Sequence, residues 1–360
     1  MSVSVGTLWG VSVLAEDPVG FESKDAFLAD AQRYRRELLA HCYRMTGSLH
    51  DAEDLVQETY LRAWRFYAGF EGRSSVRRWL YQIATNACLR ALERRPRVPL
   101  PSGLGAPSDH PERPLTARHD LAWLEPVPDA LVGLDPDGAI RSTDPAAVAV
   151  ARGTLRLAFV AALQHLPARQ RAVLILRDVL AFSAGETAQL LETTNAAVNS
   201  ALQRARAQLA RVAPAEDEVA EPAEPDLRAL LDRYVAAFEN SDVAGLLQVL
   251  RDDVVLEMPP YDAWFEGADT VARFIRLQVF SVPEPVRTVL VRANGTLAVA
   301  QYLRESDGVE RAHAMHVLTF DSTNGDATNG DATTIARIVI FLNPDLFPYF
   351  GLPLWLPDGR

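Results

Sequence analysis

Apolar positions follow a helical period in two stretches of the chain and a mixed period in a third. Between about residues 27 and 96, and again between 152 and 212, apolar residues recur every three to four positions, which predicts amphipathic helices. Between 226 and 350, helical stretches are followed by runs that alternate apolar and polar residues, which predicts strands. The expected fold class is multidomain, with two all-α modules and a C-terminal α+β domain.

Proline-rich stretches separate these parts. The segment 98–151 holds 9 of the 23 prolines and shows no sustained period, so it is expected to be a linker. The expected divisions are a disordered leader at 1–26, a helical module at 27–97, the acidic linker at 98–151, a second helical module at 152–212, a hinge at 213–225, an α+β domain at 226–350 and a tail at 351–360.

Charge distinguishes the parts. The chain carries −11 overall, but each helical module carries +5, whereas residues 213–360 carry −13. Basic modules attract nucleic-acid phosphates, and an acidic domain is repelled by them. We therefore expect the helical modules to contact DNA, and the C-terminal domain to face away from it or to bind another partner.

Composition excludes two classes of protein. No apolar run approaches the roughly 18–20 residues that a membrane span requires, so no membrane partner is expected. The two cysteines, Cys42 and Cys88, lie far apart in the sequence and form no CxxC pair. This spacing disfavours a disulfide framework or a zinc site and fits a reducing cytosol. No metal and no cofactor are expected.

The second module carries a pattern typical of a helix-turn-helix. Ser183 and Glu186 predict a capping box that opens a short helix, and a turn at 192–194 leads into a longer helix. The apolar face of that helix is expected at Val198, Ala201, Leu202, Ala205 and Leu209. The opposite side carries groups that read base edges or hold phosphates, namely Asn195, Asn199, Ser200, Gln203, Arg204 and Arg206. The alternative is an ordinary helical hairpin with a solvated face.

In the first module, residues 51–64 (DAEDLVQETYLRAW) predict an amphipathic helix. Its buried stripe is expected at Ala52, Leu55, Val56, Thr59 and Ala63. Its other faces carry Asp51, Asp54, Gln57, Glu58 and Leu61. An exposed leucine among charges suits a protein partner, and a merely solvated face is the alternative.

A further helix is expected at 75–95, after a glycine-containing turn at 70–75. Arginines are interleaved with aromatic residues there. Rings that stack on bases, beside arginines that hold the backbone, suit single-stranded DNA. The alternative is that Trp79 and Ile83, four positions apart, are simply core residues.

Taken in this order, the motifs resemble those of the extracytoplasmic-function (ECF) sigma factors of the sigma-70 family. Residues 51–58 (DAEDLVQE) resemble region 2.2 of that family, which docks on the β′ clamp helices of core RNA polymerase. Residues 70–87 (FEGRSSVRRWLYQIATNA) resemble regions 2.3 and 2.4, which melt and read the −10 promoter element. Residues 166–206 resemble region 4, which reads the −35 element. The resemblance covers roughly half of the chain.

The resemblance implies three sets of site residues. Polymerase binding is expected at Asp51, Asp54, Leu55, Gln57, Glu58 and Leu61. Contact with the −10 element is expected at Phe70, Arg73, Ser74, Arg77, Arg78, Trp79, Asn86 and Arg90. Contact with the −35 element is expected at Thr194, Asn195, Asn199, Ser200, Gln203, Arg204 and Arg206. The chain departs from the family at the turn, where Glu192 replaces the frequent glycine and would cost up to about 1–2 kcal/mol in a left-handed conformation.

The C-terminal pattern resembles the SnoaL-like fold, a cone of the nuclear-transport-factor-two superfamily. Helices are expected at 226–240, 243–250 and 269–280, and strands at 254–258, 286–292, 297–303, 312–320 and 335–342. An Asn-Gly repeat at 324–333 predicts an expanded hairpin loop between the last two strands. The cone has a pocket, and the candidates to line it around an unknown small ligand are Glu257, Trp264, His313 and His316. The two histidines are three positions apart on one strand, so at most one lines the interior.

Two short motifs narrow the resemblance to the SigG/SigJ-like subset, which carries a fused SnoaL-like domain. Trp123, Leu124 and Pro126 form a Trp-Leu-x-Pro run in the linker. An Asn-Pro-Asp run at Asn343, Pro344 and Asp345 resembles a motif linked in that subset to regulation by the C-terminal domain. All six residues are expected to be regulatory.

The expected function is that of a cytoplasmic sigma subunit and not of an enzyme. It would bind core RNA polymerase and promoter DNA, and direct promoter recognition, DNA melting and transcription initiation. The C-terminal domain would modulate this activity in cis. One alternative is a ligand-responsive DNA-binding regulator that acts without polymerase. That alternative gives the first helical module no function. The other is a small-molecule cyclase or hydrolase fused to DNA-binding helices, which would need convergent polar groups in the cone pocket.

Overall fold

The chain folds into two compact units, each assembled from two stretches of sequence. The first unit comprises Met1–Val98 and Leu124–Ala213, and the second comprises Pro99–Trp123 and Pro214–Arg360. The structure, a computed structural model, describes residues 27, 30–67, 75–93, 97–134, 151–212, 224–281, 286–323 and 332–356. The expected leader lies wholly, and the expected hinge almost wholly, outside the described residues, whereas residues 351–356 of the expected tail are described. Within the described ranges, no helix is both long and apolar enough to cross a membrane.

The first unit begins with three helices, α1 (Arg35–Thr46), α2 (Leu49–Phe66) and α3 (Val76–Leu92). Serine caps fix the starts of α2 and α3, since the Ser48 side chain accepts from the Asp51 amide and the Ser75 side chain from the Arg78 amide. All five residues of the predicted α2 stripe are buried. The sequence pattern therefore correctly predicts which side of α2 faces the core.

Further helices of the first unit are α4 (Asp129–Val132), α5 (Leu157–Leu163), α6 (Ala168–Leu174), α7 (Ala184–Leu190) and α8 (Asn195–Val212). Of these, α4, α5 and α6 contact α1, and two buried arginines form hydrogen bonds at this junction. Arg44 Nη2 donates to Thr154 Oγ1 at 2.9 Å, and the Arg171 guanidinium donates to the Met45 carbonyl. Burial lowers the pKa of each arginine to about 10. The two helical modules thus share one packed unit.

The second unit contains α9 (Glu224–Glu239), α10 (Val243–Leu247) and α11 (Ala268–Phe274). Its strands are β1 (Leu250–Glu257), β2 (Trp264–Glu266), β3 (Val286–Ala293), β4 (Thr296–Arg304), β5 (Glu310–Thr323), β6 (Ala332–Phe341) and β7 (Trp355–Leu356). They form one sheet in the order β2-β1-β6-β5-β4-β3, with β7 on β5. Strand β1 is parallel to β6, whereas the other pairs are antiparallel.

The core of this unit lies between the helices and one face of the sheet, where Tyr234 and Phe238 of α9 meet Phe274 of α11 and apolar strand residues. The five predicted strands overlap β1, β3, β4, β5 and β6. Strand β1 begins four residues earlier than expected. The added residues include Arg251, which pairs with Asp253 and with Asp321 of β5. Strands β5 and β6 pair as a hairpin, although residues 324–331 of the repeat lie outside the described part.

The linker segment 99–118 packs within the second unit. It contains a single 3₁₀ turn, Pro101–Gly103, and is otherwise extended or irregular. Leu115 packs against the apolar core cluster of the domain. Ala117 forms an isolated β-bridge with Tyr261, in the connection between β1 and β2. The first part of the predicted linker is therefore an ordered element of the C-terminal unit.

Candidate functional site

One face of α2 presents a large apolar side chain among polar ones. Leu61 is 65% exposed, and Asp54, Gln57 and Trp64 share its face at three- and four-residue spacing. Leu55, also expected at this surface, is only 6% exposed and belongs to the core beneath this face. Of the other residues expected here, Asp51 is half-buried and Glu58 pairs with Arg62.

Helix α3 carries its two N-terminal arginines in defined contacts. Arg77 Nε donates to Glu37 Oε2 at 2.8 Å, and its guanidinium lies 5.0 Å from the Tyr81 ring centroid. Burial, followed by the Glu37 charge, raises the pKa of Tyr81 above its usual range. Trp79 lies 5.7 Å from Phe27, which favours the core alternative for that residue.

Of the remaining residues expected at the −10 element, some are described by the structure and some are not. Asn86 is half-buried and Arg90 is exposed on α3. Phe70, Arg73 and Ser74 lie outside the described residues.

The helix-turn-helix is present with its predicted caps. Ser183 Oγ accepts from the Glu186 amide at 3.1 Å, and Glu186 Oε2 accepts from the Ser183 amide at 2.8 Å, which completes the capping box. Glu192 has φ of 51°, the left-handed conformation expected at the turn. Thr194 Oγ1 accepts from the Ala197 amide at 3.2 Å and so caps α8.

Helix α8 separates an apolar side from a polar one. Val198, Leu202 and Ala205 are buried, whereas Asn195, Asn199, Gln203, Arg204 and Arg206 are exposed. Arg204 donates to Ser200 Oγ at 2.6 Å, and Arg206 forms a two-pronged ion pair with Asp178 at 2.7 and 2.8 Å. The three exposed amides therefore form the part of this face that is best placed to read bases.

The two helical modules meet through α3 and α7. The Arg78 guanidinium donates to Gln189 Oε1 and lies 3.9 Å from the Glu186 carboxylate. Phe182, which precedes α7, stands edge-on to Tyr81 at 5.6 Å. Residues expected at the −10 element are thus in contact with the helix-turn-helix.

The residue between Leu124 and Pro126 was missed by the sequence analysis. Glu125 Oε2 accepts from the Leu49 amide at 2.7 Å, from Ser48 Oγ at 2.9 Å and from the His50 amide at 3.3 Å. A carboxylate at this position satisfies amides that a helix start leaves unpaired and complements the helix dipole. Only its place in the Trp-Leu-x-Pro run marks it in the sequence.

Leu124 packs beside the turn that joins α1 and α2. Gly47 in that turn has φ of 73°, and a Cβ there would lie 2.7 Å from Leu124 Cδ1. Trp123 belongs to the second unit, where its Nε1 donates to the Arg118 carbonyl at 3.1 Å. The predicted regulatory run is therefore divided between the two units.

Inside the C-terminal domain, His316 joins two buried polar residues. Its Nδ1 lies 2.8 Å from the Tyr234 hydroxyl and its Nε2 lies 2.8 Å from Gln301 Oε1. Burial, with a smaller effect of His313, lowers the pKa of His316 to about 3, so the ring is neutral. A neutral ring satisfies both contacts if Nε2 donates to Gln301 and Nδ1 accepts from Tyr234. His313 is the extra residue of a bulge in β5 and does not share this interior position.

The other two predicted pocket residues are bound by the linker. Glu257 is fully buried, pairs with the Arg337 guanidinium, and accepts from the Ser102 amide at 2.8 Å. Trp264 Nε1 donates to the Gly105 carbonyl at 2.9 Å. The polar groups expected to receive a small ligand therefore contact residues of the same chain.

The Asn-Pro-Asp motif caps a short helix. Asn343 Oδ1 accepts from the Asp345 amide at 3.1 Å and starts the 3₁₀ helix Pro344–Phe350. That helix brings Phe347 to 5.1 Å from the Tyr302 ring. The motif thus fixes the C-terminal segment on the sheet.

Comparison with known proteins agrees with this architecture. Residues 31–98 match the Sigma-70 region 2 family, residues 156–209 match Sigma-70 region 4, and residues 231–329 match the SnoaL-like domain. The crystal structure of the ECF sigma factor SigJ from Mycobacterium tuberculosis aligns with a TM-score of 0.53 at 24% identity. The alignment covers 91% of this chain and 99% of that chain, and it supports a shared fold.

Two relatives extend the comparison to sequence. The ECF RNA polymerase sigma factor SigJ of M. tuberculosis is 28% identical over 267 residues, which cover 69% of this chain and 72% of the relative. The ECF RNA polymerase sigma factor SigG of M. tuberculosis is 48% identical over 359 residues, which cover 98% of this chain and 92% of the relative. At that identity over nearly the whole length, the chain belongs to the ECF sigma factors of the sigma-70 family that carry a C-terminal SnoaL-like domain, a family of RNA polymerase subunits for promoter-directed transcription.

Proposed function

We propose that three helices of the first unit carry the separate binding activities of a sigma subunit, and that the C-terminal unit modulates these activities in cis. The exposed face of α2 binds core RNA polymerase at the β′ clamp helices. Helix α3 and the turn before it open and read the −10 element, and α8 reads the −35 element. The protein acts in the cytoplasm, where it meets RNA polymerase.

The observation that carries the polymerase assignment is the exposure of Leu61 in the middle of the α2 face. A leucine that is 65% exposed gains free energy when a partner covers it. Asp54 and Gln57 on the same face supply a polar rim for such a contact. A merely solvated helix face has no need of an apolar side chain of this size at its centre.

The assignment of α8 to duplex DNA is supported by its exposed amides. Asparagine and glutamine form paired hydrogen bonds with adenine in the major groove. Arg204 and Arg206 are exposed on the same helix, and exposed arginines beside base-reading groups hold DNA phosphates. Modulation in cis is supported by the way the chain is divided. Residues that connect the two helical modules are part of the C-terminal unit.

The polymerase assignment is tested by co-elution of the full chain with core RNA polymerase on a sizing column. We expect a stable complex with the wild-type chain and its loss in Leu61→Asp. The matched control is Phe66→Asp, because Phe66 is also exposed on α2, at 61%, but lies about 140° around the helix. Equal co-elution of both variants would contradict the assigned face.

Modulation in cis is tested by transcription with and without residues 213–360. Unchanged promoter activity of the shortened chain would contradict it. If neither the full chain nor residues 1–212 bind polymerase, a DNA-binding regulator that acts without polymerase becomes the better description.

A further inference from the structure

We propose that the C-terminal domain is a peptide-binding domain whose ligand is the chain's own linker segment, residues 99–118. The proposal deepens the regulation in cis proposed above and rests on it for its consequence in transcription, although the binding itself does not. The site is the set of groups on β1, β2 and the loop between them that hold the segment.

The domain holds the backbone of the segment at three separate positions. Glu257 Oε2 accepts from the Ser102 amide at 2.8 Å, and the Trp264 carbonyl accepts from the Ser108 amide at 2.7 Å. Further along, the Pro260 carbonyl accepts from the Arg118 amide at 2.8 Å. Main-chain hydrogen bonds of this kind supply affinity whenever an extended peptide binds a folded domain.

Side chains add an apolar contact at Leu115 and two ion pairs. Leu115 packs against the apolar cluster inside the domain. Arg118 lies 3.8 Å from Asp262, and Glu112 lies 3.6 Å from Arg273. Apolar and polar contacts that alternate irregularly along an extended segment are the arrangement of a peptide ligand, whereas a core strand buries every second side chain.

The composition of the segment also suits a ligand. Five of its twenty residues are prolines, which restrict the free chain and so reduce the entropy lost on binding. Nine of the twenty residues remain exposed in the bound state. The segment is therefore only partly covered in the bound state, in which Pro99, Leu100, Pro101 and Pro111 are buried and Leu115 is half-buried.

The peptide site explains why the polar side chains of the predicted pocket already have hydrogen-bond partners within the chain. Glu257 and Trp264, which the fold would offer to a small ligand, bind the Ser102 amide and the Gly105 carbonyl instead. The polar groups deeper in the domain bind one another through His316. The binding groups at the edge of the domain are thus matched to a peptide backbone.

Binding would shorten the connection between the DNA-reading modules. The −10 and −35 elements lie about 25 base pairs apart by their names, or roughly 85 Å of duplex at about 3.4 Å per base pair. Arg78 and Gln189, one on each module, are in hydrogen-bond contact. A freed segment of twenty residues spans up to about 65 Å when extended. Release of the segment would therefore allow the two modules to separate by most of the distance between the two promoter elements.

The test is hydrogen exchange of the full chain, followed by mass spectrometry of peptides that contain Ser102, Ser108 and Arg118. We expect these amides to be protected in the wild-type chain. In Leu115→Asp they should exchange at least tenfold faster, while amides of β4 and β5 keep their protection. Leu104→Asp is the matched control, because Leu104 is 44% exposed on the same segment and should leave the exchange unchanged.

A second variant tests the site from the other side. Trp264→Phe removes the indole N–H that donates to Gly105 and should speed exchange near Ser108 several-fold. The proposal is overturned if the segment exchanges at the rate of a free peptide in the wild-type chain, or if Leu115→Asp leaves its protection intact. It is also overturned if Leu115→Asp exposes β4 and β5 equally, because the segment would then be part of the domain core. None of these readings involves polymerase or DNA, so a failure here is distinct from a failure of the sigma assignment.

Discussion

Arg78 on α3 donates a hydrogen bond to Gln189 on α7, so a residue expected to hold promoter DNA is held by the helix-turn-helix of the same chain. Glu186, 3.9 Å away, adds a negative charge beside the same guanidinium. A phosphate that binds Arg78 has to displace these partners. The contact therefore competes with DNA at one of the residues assigned to the −10 element.

Loss of the Gln189 acceptor should favour single-stranded DNA. A hydrogen bond to a charged group contributes about 1.5–3 kcal/mol when it is well formed, and this one is partly exposed. We expect Gln189→Ala to bind a single-stranded −10 oligonucleotide about 3–10-fold more tightly, measured by fluorescence anisotropy with the full chain. Gln203→Ala, on the exposed face of α8, is the control. Equal affinity of both variants would show that the contact does not restrain Arg78.

Removal of the Glu125 carboxylate should loosen the start of α2. Three donors from Ser48, Leu49 and His50 lose their acceptor, and loss of a helix cap costs about 0.5–2 kcal/mol. We expect Glu125→Ala to lower the free energy of unfolding of the first unit by about 1–2 kcal/mol in urea titrations. Glu125→Gln, which keeps one oxygen, should recover part of the loss. A variant as stable as the wild-type chain would contradict this role.

Acid should destabilise both units through buried histidines. Burial, with the Arg44 charge, lowers the pKa of His41 to about 3, and burial with His313 lowers the pKa of His316 to about 3. An unfolded histidine titrates near 6.5, so between about pH 6.5 and 3 the unfolded chain binds protons that the folded chain does not. Stability is therefore intact above pH 6.5 and falls by up to about 1.4 kcal/mol per pH unit for each histidine below it.

Urea titrations at pH 7.5 and 5.5 check this dependence. His316→Gln keeps hydrogen-bonding groups at the site but does not titrate, so the second unit should lose stability more slowly on acidification. A wild-type chain that is equally stable at both pH values would contradict the prediction.

Cys42 and Cys88 should resist thiol reagents in the folded chain. They are free and buried on α1 and α3, and a hydrogen bond between their side chains, together with burial, raises the pKa of Cys42 well above its usual range. The thiolate is the reactive form, so alkylation at pH 8 should be at least a hundredfold slower than in urea. Mass spectrometry after iodoacetamide treatment measures the difference. Rapid labelling of either cysteine under native conditions would contradict it.

The sequence predicts features whose cause is local. The buried stripe of α2, the capping box of Ser183 and Glu186 and the left-handed turn at Glu192 all depend on residues a few positions apart, and the structure contains each of them. The pattern also assigns the exposed amides of α8 to one side of the helix.

Local sequence patterns do not predict contacts between residues that are far apart in the sequence. Arg78 and Gln189 are 111 positions apart, and each is an ordinary surface residue of its own helix. Leu115 is an isolated apolar residue among prolines and charges, so no periodicity predicts that it packs against the core. At Leu55 the two sequence arguments differ: the resemblance assigns it to a partner contact, whereas its place in the apolar stripe predicts burial, and the structure has it buried.

The ribosome makes the linker before it makes the domain that the linker contacts. Ser102 donates to a carboxylate that lies 155 positions later in the sequence. At about 5–20 residues per second, a ribosome needs roughly 8–30 s to synthesise that stretch. All helices of the first unit are complete at Val212, before any strand of the C-terminal sheet exists. Every newly made molecule therefore passes through a stage in which the helices of its first unit have been made, but the strand whose Glu257 accepts from Ser102 has not.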